Sequence, residues 1–362
     1  MIFYDHFEFR FFDESEQKTI KQEAERAEDL GKLTDEMLQL AYNKSLFHLL
    51  VPEALGGHEA TLPEALDVFE EASYLDGSFG WTLTLGAGAG IFAAYLEPEF
   101  SENVSSNEEA FIAGSGFPAG TAVRVEGGFT ISGEWKYISG WPHATLFTAS
   151  GLVKTSENEE PEIKAFAFLP NEVEILKNWN SFGLKATSSD DIKVSDQFVP
   201  KSRTFRIVPE ALNYDAPLYR FPFEPFAQCT LAISLAGIAQ RFMDESLMLL
   251  EQKASSMEES KDILALHKHS ARELDKVRKQ LYSQVIDCWG YYQKGDAADM
   301  EDVQKIALLS SNLNQTALKA CQRIYPHLGM KVLDESNAIN RAWRDLHTAS
   351  QHDFLRPELA TD

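Results

Sequence analysis

The sequence predicts an α+β chain in three parts: an N-terminal α-helical domain over residues 1–108, a middle β-domain over 109–208 and a C-terminal four-helix bundle over 209–362. Three observations carry this. Two alternating runs, Val123-Arg124-Val125 and Phe129-Thr130-Ile131-Ser132, flank Gly127-Gly128 and read as a β-hairpin. Helical periodicity lies on both sides of this block. A Pro- and aromatic-rich segment, Asn213 to Pro225, separates the β block from the last helices and reads as a connector.

In the N-terminal part, Asp13 or Ser15 can cap a first helix and Thr34-Asp35 a second, followed by Met37, Leu38, Leu40 and Ala41. Leu49 to Gly57 (LLVPEALGG) ends that helix in a turn. Thr61-Leu62-Pro63-Glu64 is a capping box with proline near the first helical position. Ser78 to Leu96 is apolar all round and rich in Gly and Ala. It reads as a buried helix packed closely on its neighbours, and its small residues could also leave room for a substrate. Gly86, Gly88 and Gly90 do not make a dinucleotide fingerprint, because no strand precedes them and the spacing is wrong. Beyond the connector, Leu231–Gln252, Lys261–Gly290, Asp302–Tyr325 and Ser336–His352 give the four helices of an antiparallel bundle. Glu157-Asn158-Glu159-Glu160 reads as a solvated hairpin tip.

Composition narrows the function. The 362 residues are too many for one compact core and suit two or three subdomains. Lys plus Arg number 33 against 56 Asp plus Glu, a net charge of −23, which argues against nucleic acid and anionic membranes as partners. Any anionic ligand must be held by local donors. Cys229, Cys288 and Cys321 form no CxxC pair and read as buried thiols, with no metal site among them. No apolar run reaches about 20 residues, and the N-terminal MIFYDHFEFRFF is broken by charges. A cytoplasmic location is expected.

The stretch from Phe111 to Pro200 also carries a family resemblance. Gly127, Gly128, Gly133, Trp135, Ser139 and Gly140, then Trp179, Gly183, Thr187 and Ser189, then Asp196, Phe198, Val199 and Pro200 form spaced words similar to those of the acyl-CoA dehydrogenase superfamily. The resemblance implies that fold and a flavin cofactor, FMN or FAD. It implies that Trp135, which on the residues alone reads as a core tryptophan, lies against the flavin ring, and that Ser115 and Ser139 supply hydroxyls near it. The segment Phe111–Gly120 resembles the family's flavin loop, with Gly116-Phe117-Pro118 where dehydrogenases usually show T-E-P.

The segment from Asn340 to Asp353 is the other informative one. In acyl-CoA dehydrogenases an Arg-Asp pair, here Arg344-Asp345, is followed by a Glu that acts as base. Counting on, Asp353 takes that place. The wording RDLHTASQH instead resembles the flavin-dependent monooxygenases of the same fold, where a His at this point, here His352, stands by the flavin as oxygen is activated. On the residues alone His352 reads as a surface His. The resemblance implies cofactor contacts for Arg344 and for Gln322 as well. The family's R-x-F-G word is absent, its Q-x-x-GG-x-G survives only as Gln322 to Gly329, and the sequence stops ten residues after His352. These departures favour a mononucleotide or a loosely held reduced flavin. TLTLGAGAG lacks the second pocket His that the oxygenases often carry.

The expectation is therefore a flavin-dependent oxidoreductase, first a two-component monooxygenase that uses reduced flavin and O2, with His352 and Ser139 at the reacting edge. The alternatives are an FAD-dependent acyl-CoA dehydrogenase with Asp353 as base and a non-catalytic relative. A small-molecule substrate, a separate flavin reductase and a homotetramer or homodimer complete it.

Overall fold

The computed structural model describes residues 9–154, 161–254 and 260–356; the expected hairpin tip at Glu157–Glu160 lies outside them. Five helices come first. Helix α1 (Glu14–Leu30) is capped by Asp13, whose Oδ1 accepts the Ser15 and Glu16 amides while Glu16 accepts that of Asp13. Thr34 caps α2 (Asp35–Asn43), and Thr61 and Glu64 cap α3 (Leu62–Leu75) reciprocally. Asp76 caps α4 (Gly77–Ala89) by accepting the Phe79 amide at 2.9 Å, and α5 (Pro98–Ser105) completes the set. These satisfy amide groups that a helix start leaves orphaned.

Helix α4 runs through the interior. Phe79, Trp81, Thr82, Leu83 and Ala87 are all buried. Its glycines are steric necessities: a Cβ on Gly80 would lie 2.1 Å from Ser73 Oγ, and one on Gly86 would lie 2.5 Å from the Phe111 ring. The close-packing reading of this Gly-rich stretch is the one the structure shows at these two positions.

The middle strands are β1 (Ile112–Val125), β2 (Gly128–Ile138), β3 (Leu146–Lys154), β4 (Glu162–Phe168), β5 (Glu174–Ile175), β6 (Asp190–Pro200) and β7 (Thr204–Phe205). They form one sheet in the order β5-β6-β2-β1-β3-β4-β7, antiparallel except for β1 with β3. Among the described residues no pairing joins β5 to β7, so the sheet is open rather than a closed barrel. The β1–β2 turn is Glu126-Gly127, with Val125 opposite Gly128 and Gly127 at φ +79°. Phe111–Gly120, expected as a loop, belongs mostly to β1 and contains a register shift between Ser115 and Gly120.

The C-terminal part holds α6 (Pro217–Arg220), α7 (Phe223–Ala254), α8 (Ser260–Gln293), α9 (Met300–Ile324) and α10 (Ala338–Ala349). Helix α7 starts at Phe223, inside the expected connector. Pro225 sits in its first turn, where the missing N–H costs no helical hydrogen bond. Helix α10 stops at Ala349. Asn314 of α9 donates to the carbonyls of Ser350 and Leu355, at 3.1 and 2.9 Å, and pins the following turn. Cys229, Cys288 and Cys321 are free and buried. Among the described residues no helix is long and apolar enough to cross a membrane.

The three parts share their interior. One continuous network of buried apolar residues runs from Ile20 and Phe69 through Phe111 and Trp135 to Phe242 and Ile324, where chain length led us to expect separate cores.

Close backbone approach is also required beneath β2. A Cβ on Gly133 would fall 2.6 Å from the Trp135 ring and 2.7 Å from Gly120 Cα. Gly133→Ala is expected to lower the free energy of unfolding by about 1–3 kcal/mol, the usual cost of overpacking, read as a lower urea midpoint at unchanged slope.

Candidate functional site

The register of the sheet opens a gap at one end. β1 and β2 pair from Val125↔Gly128 only to Thr121↔Ser132. Past that point β1 pairs with β3 as far as Ile112, and β2 pairs with β6 as far as Ile138↔Asp190. The two strands part where Ser115–Ala119 face the end of β2. Gly114, Gly116 and Ala119 are exposed there, and Phe117 is 72 % exposed.

Trp135 does not form a wall of this gap. Its side chain is 1 % exposed, fills the space left by Gly120 and Gly133, and donates Nε1–H to the Ser150 carbonyl at 2.7 Å. It is core, as the residue alone suggested. The aromatic side chain that this strand turns outward is Tyr137, 67 % exposed, with its ring edge-on to Trp179 at 6.2 Å. Strict alternation would send Tyr137 the same way as Trp135. A bulge between Trp135 and Ile138 and a φ of +61° at Tyr137 reverse it, with the Tyr137 amide held by Asp191 Oδ1 at 3.0 Å. Only that carboxylate, distant in sequence, could have signalled the bulge.

Ser139 directly follows the same strand and is buried. Its Oγ lies 2.7 Å from Ser189 Oγ, which lies 2.6 Å from Thr187 Oγ1, which donates to the Leu184 carbonyl at 2.8 Å. Ser115 Oγ, at the β1 irregularity, accepts the Phe117 amide at 3.4 Å.

His352 follows α10 and caps the one-turn helix Asp353–Leu355. Its Nδ1 accepts the Phe354 amide at 3.3 Å, so the neutral ring carries its proton on Nε2. The half-buried ring meets Trp81 of α4 edge-on at 5.9 Å. Burial pushes its pKa down to about 4, with Asp353 opposing the shift and Arg356 adding to it. Helix α4 links the two ends of the site: Trp81 touches His352, and the next residue, Thr82, packs on Gly140 beside Ser139. Gly140 also packs on Phe111, whose ring faces His143 at 6.3 Å. His143, which sequence reasoning missed, is likewise pushed to about 4 by burial, with Lys32 adding to the shift and Asp35 opposing it.

Three expected site residues lie elsewhere. The Asp353 side chain is 78 % exposed and pairs with Arg356 at 2.9 Å, so its carboxylate is in water. The Arg344 guanidinium is buried in a fork with Glu28, with further bonds to the Phe182 carbonyl and Asn340 Oδ1, each at 2.7 Å. Its donors serve the fold, so it is not available to a cofactor phosphate. Gln322 lies on the exposed face of α9, about 12 Å along the helix from Asn314.

This arrangement, helices around a split sheet with a bundle closing one end, is the acyl-CoA dehydrogenase fold. Residues 229–357 match the family described as acyl-CoA dehydrogenase, C-terminal domain. Along most of its length the chain is similar to oxygenases. It is 24 % identical over 94 % of its length, and 93 % of the relative's, to the flavin-dependent monooxygenase oxygenase subunit HsaA of Rhodococcus jostii. It is 26 % identical to the indole-3-acetate monooxygenase of Pseudomonas putida, covering 86 % of this chain and 80 % of that one. Among solved structures, the 3-HSA hydroxylase of Rhodococcus sp. RHA1 superposes with a TM-score of 0.89 at 22 % identity, covering 94 % of this chain and 91 % of that one. XiaF from Streptomyces sp., in complex with FADH2 and glycerol, gives 0.85 at 18 % identity, covering 94 % of this chain and 89 % of that one.

The two depressed histidines make acid stability testable. Between about pH 6.5 and 4 the unfolded chain binds protons that folded His143 and His352 do not, so their contribution falls as pH falls through that window. His143→Gln removes one such group. Its stability is expected to drop less than the parent's between pH 7 and pH 5, read from urea midpoints at the two values.

Proposed function

We propose that this chain is the oxygenase component of a two-component flavin-dependent monooxygenase. In this reading it takes reduced flavin from a separate reductase and acts on a small-molecule substrate. The observation that carries it is the pairing of His352 with Asp353. The imidazole is half-buried, neutral and holds its proton on Nε2, while the neighbouring carboxylate that a dehydrogenase would need as base stands in water with Arg356. Similarity to oxygenase subunits along most of the chain supports the same reading.

The residues at the split in the sheet fit a flavin ring. Ser139 offers a hydroxyl oxygen, Tyr137 and Phe117 offer exposed aromatic surface, and Ser115 lies on the opposite strand. Flavin, when bound, supplies the two electrons that let one oxygen atom of O2 enter the substrate while the other leaves as water. His352, beside Trp81, keeps its proton on Nε2 and would donate a hydrogen bond from it where oxygen charge develops. Ser139 orients the ring edge. The half-buried Leu85, Gly88, Ala89 and Phe92, with Phe223, give an apolar lining suited to an aromatic or otherwise apolar substrate. The missing R-x-F-G word and the engagement of Arg344 with Glu28 leave no dedicated pyrophosphate clamp among the described residues, so FMN serves as well as FAD. Exposed Met300, Leu308, Met330 and Leu333 supply the apolar surface for assembly into a homotetramer or homodimer, and the enzyme works in the cytoplasm.

The test is anaerobic titration with photoreduced FMN and FAD, followed by 18O2 and a panel of phenols and indoles. The expected outcome is saturable binding of reduced flavin and one 18O atom per product. Bleaching of bound oxidised flavin by an acyl-CoA, without oxygen, would overturn the proposal. His352→Ala is expected to lower product formation about 100-fold, the scale of one lost hydrogen-bond donor at a developing oxygen charge. Reduced-flavin affinity should change only severalfold, with the oxygen consumed appearing as hydrogen peroxide.

A further inference from the structure

The hydroxyl chain behind Ser139 has only one possible direction. Three O···O gaps, Ser139–Ser189, Ser189–Thr187 and Thr187–Leu184 carbonyl, measure 2.7, 2.6 and 2.8 Å. The three hydroxyls carry three protons and the carbonyl carries none. Each gap is bridged only if Thr187 donates to Leu184, Ser189 to Thr187 and Ser139 to Ser189. Any reversal leaves two oxygen lone pairs facing each other inside 2.9 Å, an unfavourable arrangement in a buried site.

The far end of the chain is fixed. Leu184 is buried in the left-handed region at φ +50°, which a leucine holds only under constraint. Its amide donates to Asp345 Oδ1 at 2.5 Å, and its carbonyl also accepts Trp179 Nε1–H at 3.1 Å. Ser188, next along and at φ +45°, donates to the Gly31 carbonyl, and the Thr187 carbonyl accepts the Gly140 amide at 2.7 Å. The turn Leu184–Ser189 is thus held by α1, α10 and the end of β2 together.

We propose that Thr187 and Ser189 are positioning residues that make Ser139 an obligatory hydrogen-bond acceptor, so that the site selects a flavin whose ring edge bears an N–H, the reduced form, over the oxidised form. This rests on the flavin reading above. Oxidised flavin presents a ring-nitrogen lone pair where reduced flavin presents N–H. With its proton committed to Ser189, Ser139 matches the second and repels the first. Such a site captures reduced flavin on delivery and releases the spent, oxidised ring.

The experiment measures dissociation constants for oxidised FMN and, anaerobically, for photoreduced FMN, in the parent chain, Ser189→Ala and Thr187→Val. The parent is expected to bind the reduced form about tenfold or more tightly, the scale of one lone-pair mismatch. In Ser189→Ala the Ser139 proton is released and can turn toward the ligand. Oxidised FMN should then bind severalfold more tightly than to the parent, and the ratio should fall toward one. Thr187→Val, which takes away the acceptor for Ser189 and allows the chain to reverse, should move the ratio the same way. A gain in oxidised-flavin affinity cannot come from a damaged fold. If both variants lose affinity for the two forms in parallel, or keep the parent's ratio, the inference is overturned while flavin binding stands. A parent chain that binds neither form overturns the functional proposal itself.

Discussion

Two neighbouring residues of α10, Arg344 and Asp345, join the parts of this chain. Arg344 reaches Glu28 of α1 and the Phe182 carbonyl, while Asp345 accepts the Leu184 amide. Between them Gly183 packs so closely on the helix that a Cβ there would fall 2.0 Å from the Arg344 carbonyl. The turn that carries Thr187 and Ser189 is therefore fastened to the last helix by two side chains and one backbone approach. Every position of Ser139 relative to His352 depends on that fastening, because α10 also delivers His352.

The joint is electrostatically expensive. Asp345 is buried beside Asp76, and burial together with that second carboxylate pushes it up to about 7. Asp76 is raised too, by burial, with Arg341 opposing the shift from 3.5 Å. A small cavity of about 40 Å³, lined by Lys21, Asp76, Arg241, Arg341 and Asp345, adjoins the pair and is large enough for water. Buried charge of this kind is weak evidence for stability and stronger evidence for a fixed arrangement. Here the arrangement sets the strained Leu184 and Ser188 backbones. Pairs such as Glu70 with Arg278, or Glu71 with the amides of Phe11 and Phe12, tie other parts of the chain without touching the site.

Much of the fold was legible because its signals are local. Asp13, Thr34 and Thr61 announce their helices by cap chemistry, and the hairpin by its glycine turn. Apolar spacing announced the bundle helices, although α7 begins earlier than its spacing suggested, since a first-turn proline looks like a breaker. The site was legible as words and illegible as geometry. Thr187, Ser189, Ser139 and His352 were all picked out, yet the direction in which the first three donate hydrogen bonds needs coordinates. That Tyr137 rather than Trp135 faces out was illegible because a one-residue bulge inverts the alternation. Arg344 was misassigned because its partner, Glu28, lies 316 positions away, and no local pattern shows such a pairing.

The crowding around α4 also bears on how this scaffold can diversify. Gly80 and Gly86 tolerate no added methyl, Gly77 is pressed against Asp345, and Thr82 is pressed against Gly140. Gly88 alone among the helix's glycines has its nearest neighbour, the Phe226 ring, a full 4.0 Å from where a methyl would sit. Drift along this helix is confined to one stripe, Leu85, Gly88, Ala89 and onward to Phe92. Descendants of this chain can therefore acquire new ligand preferences along that stripe without disturbing the sheet beneath it.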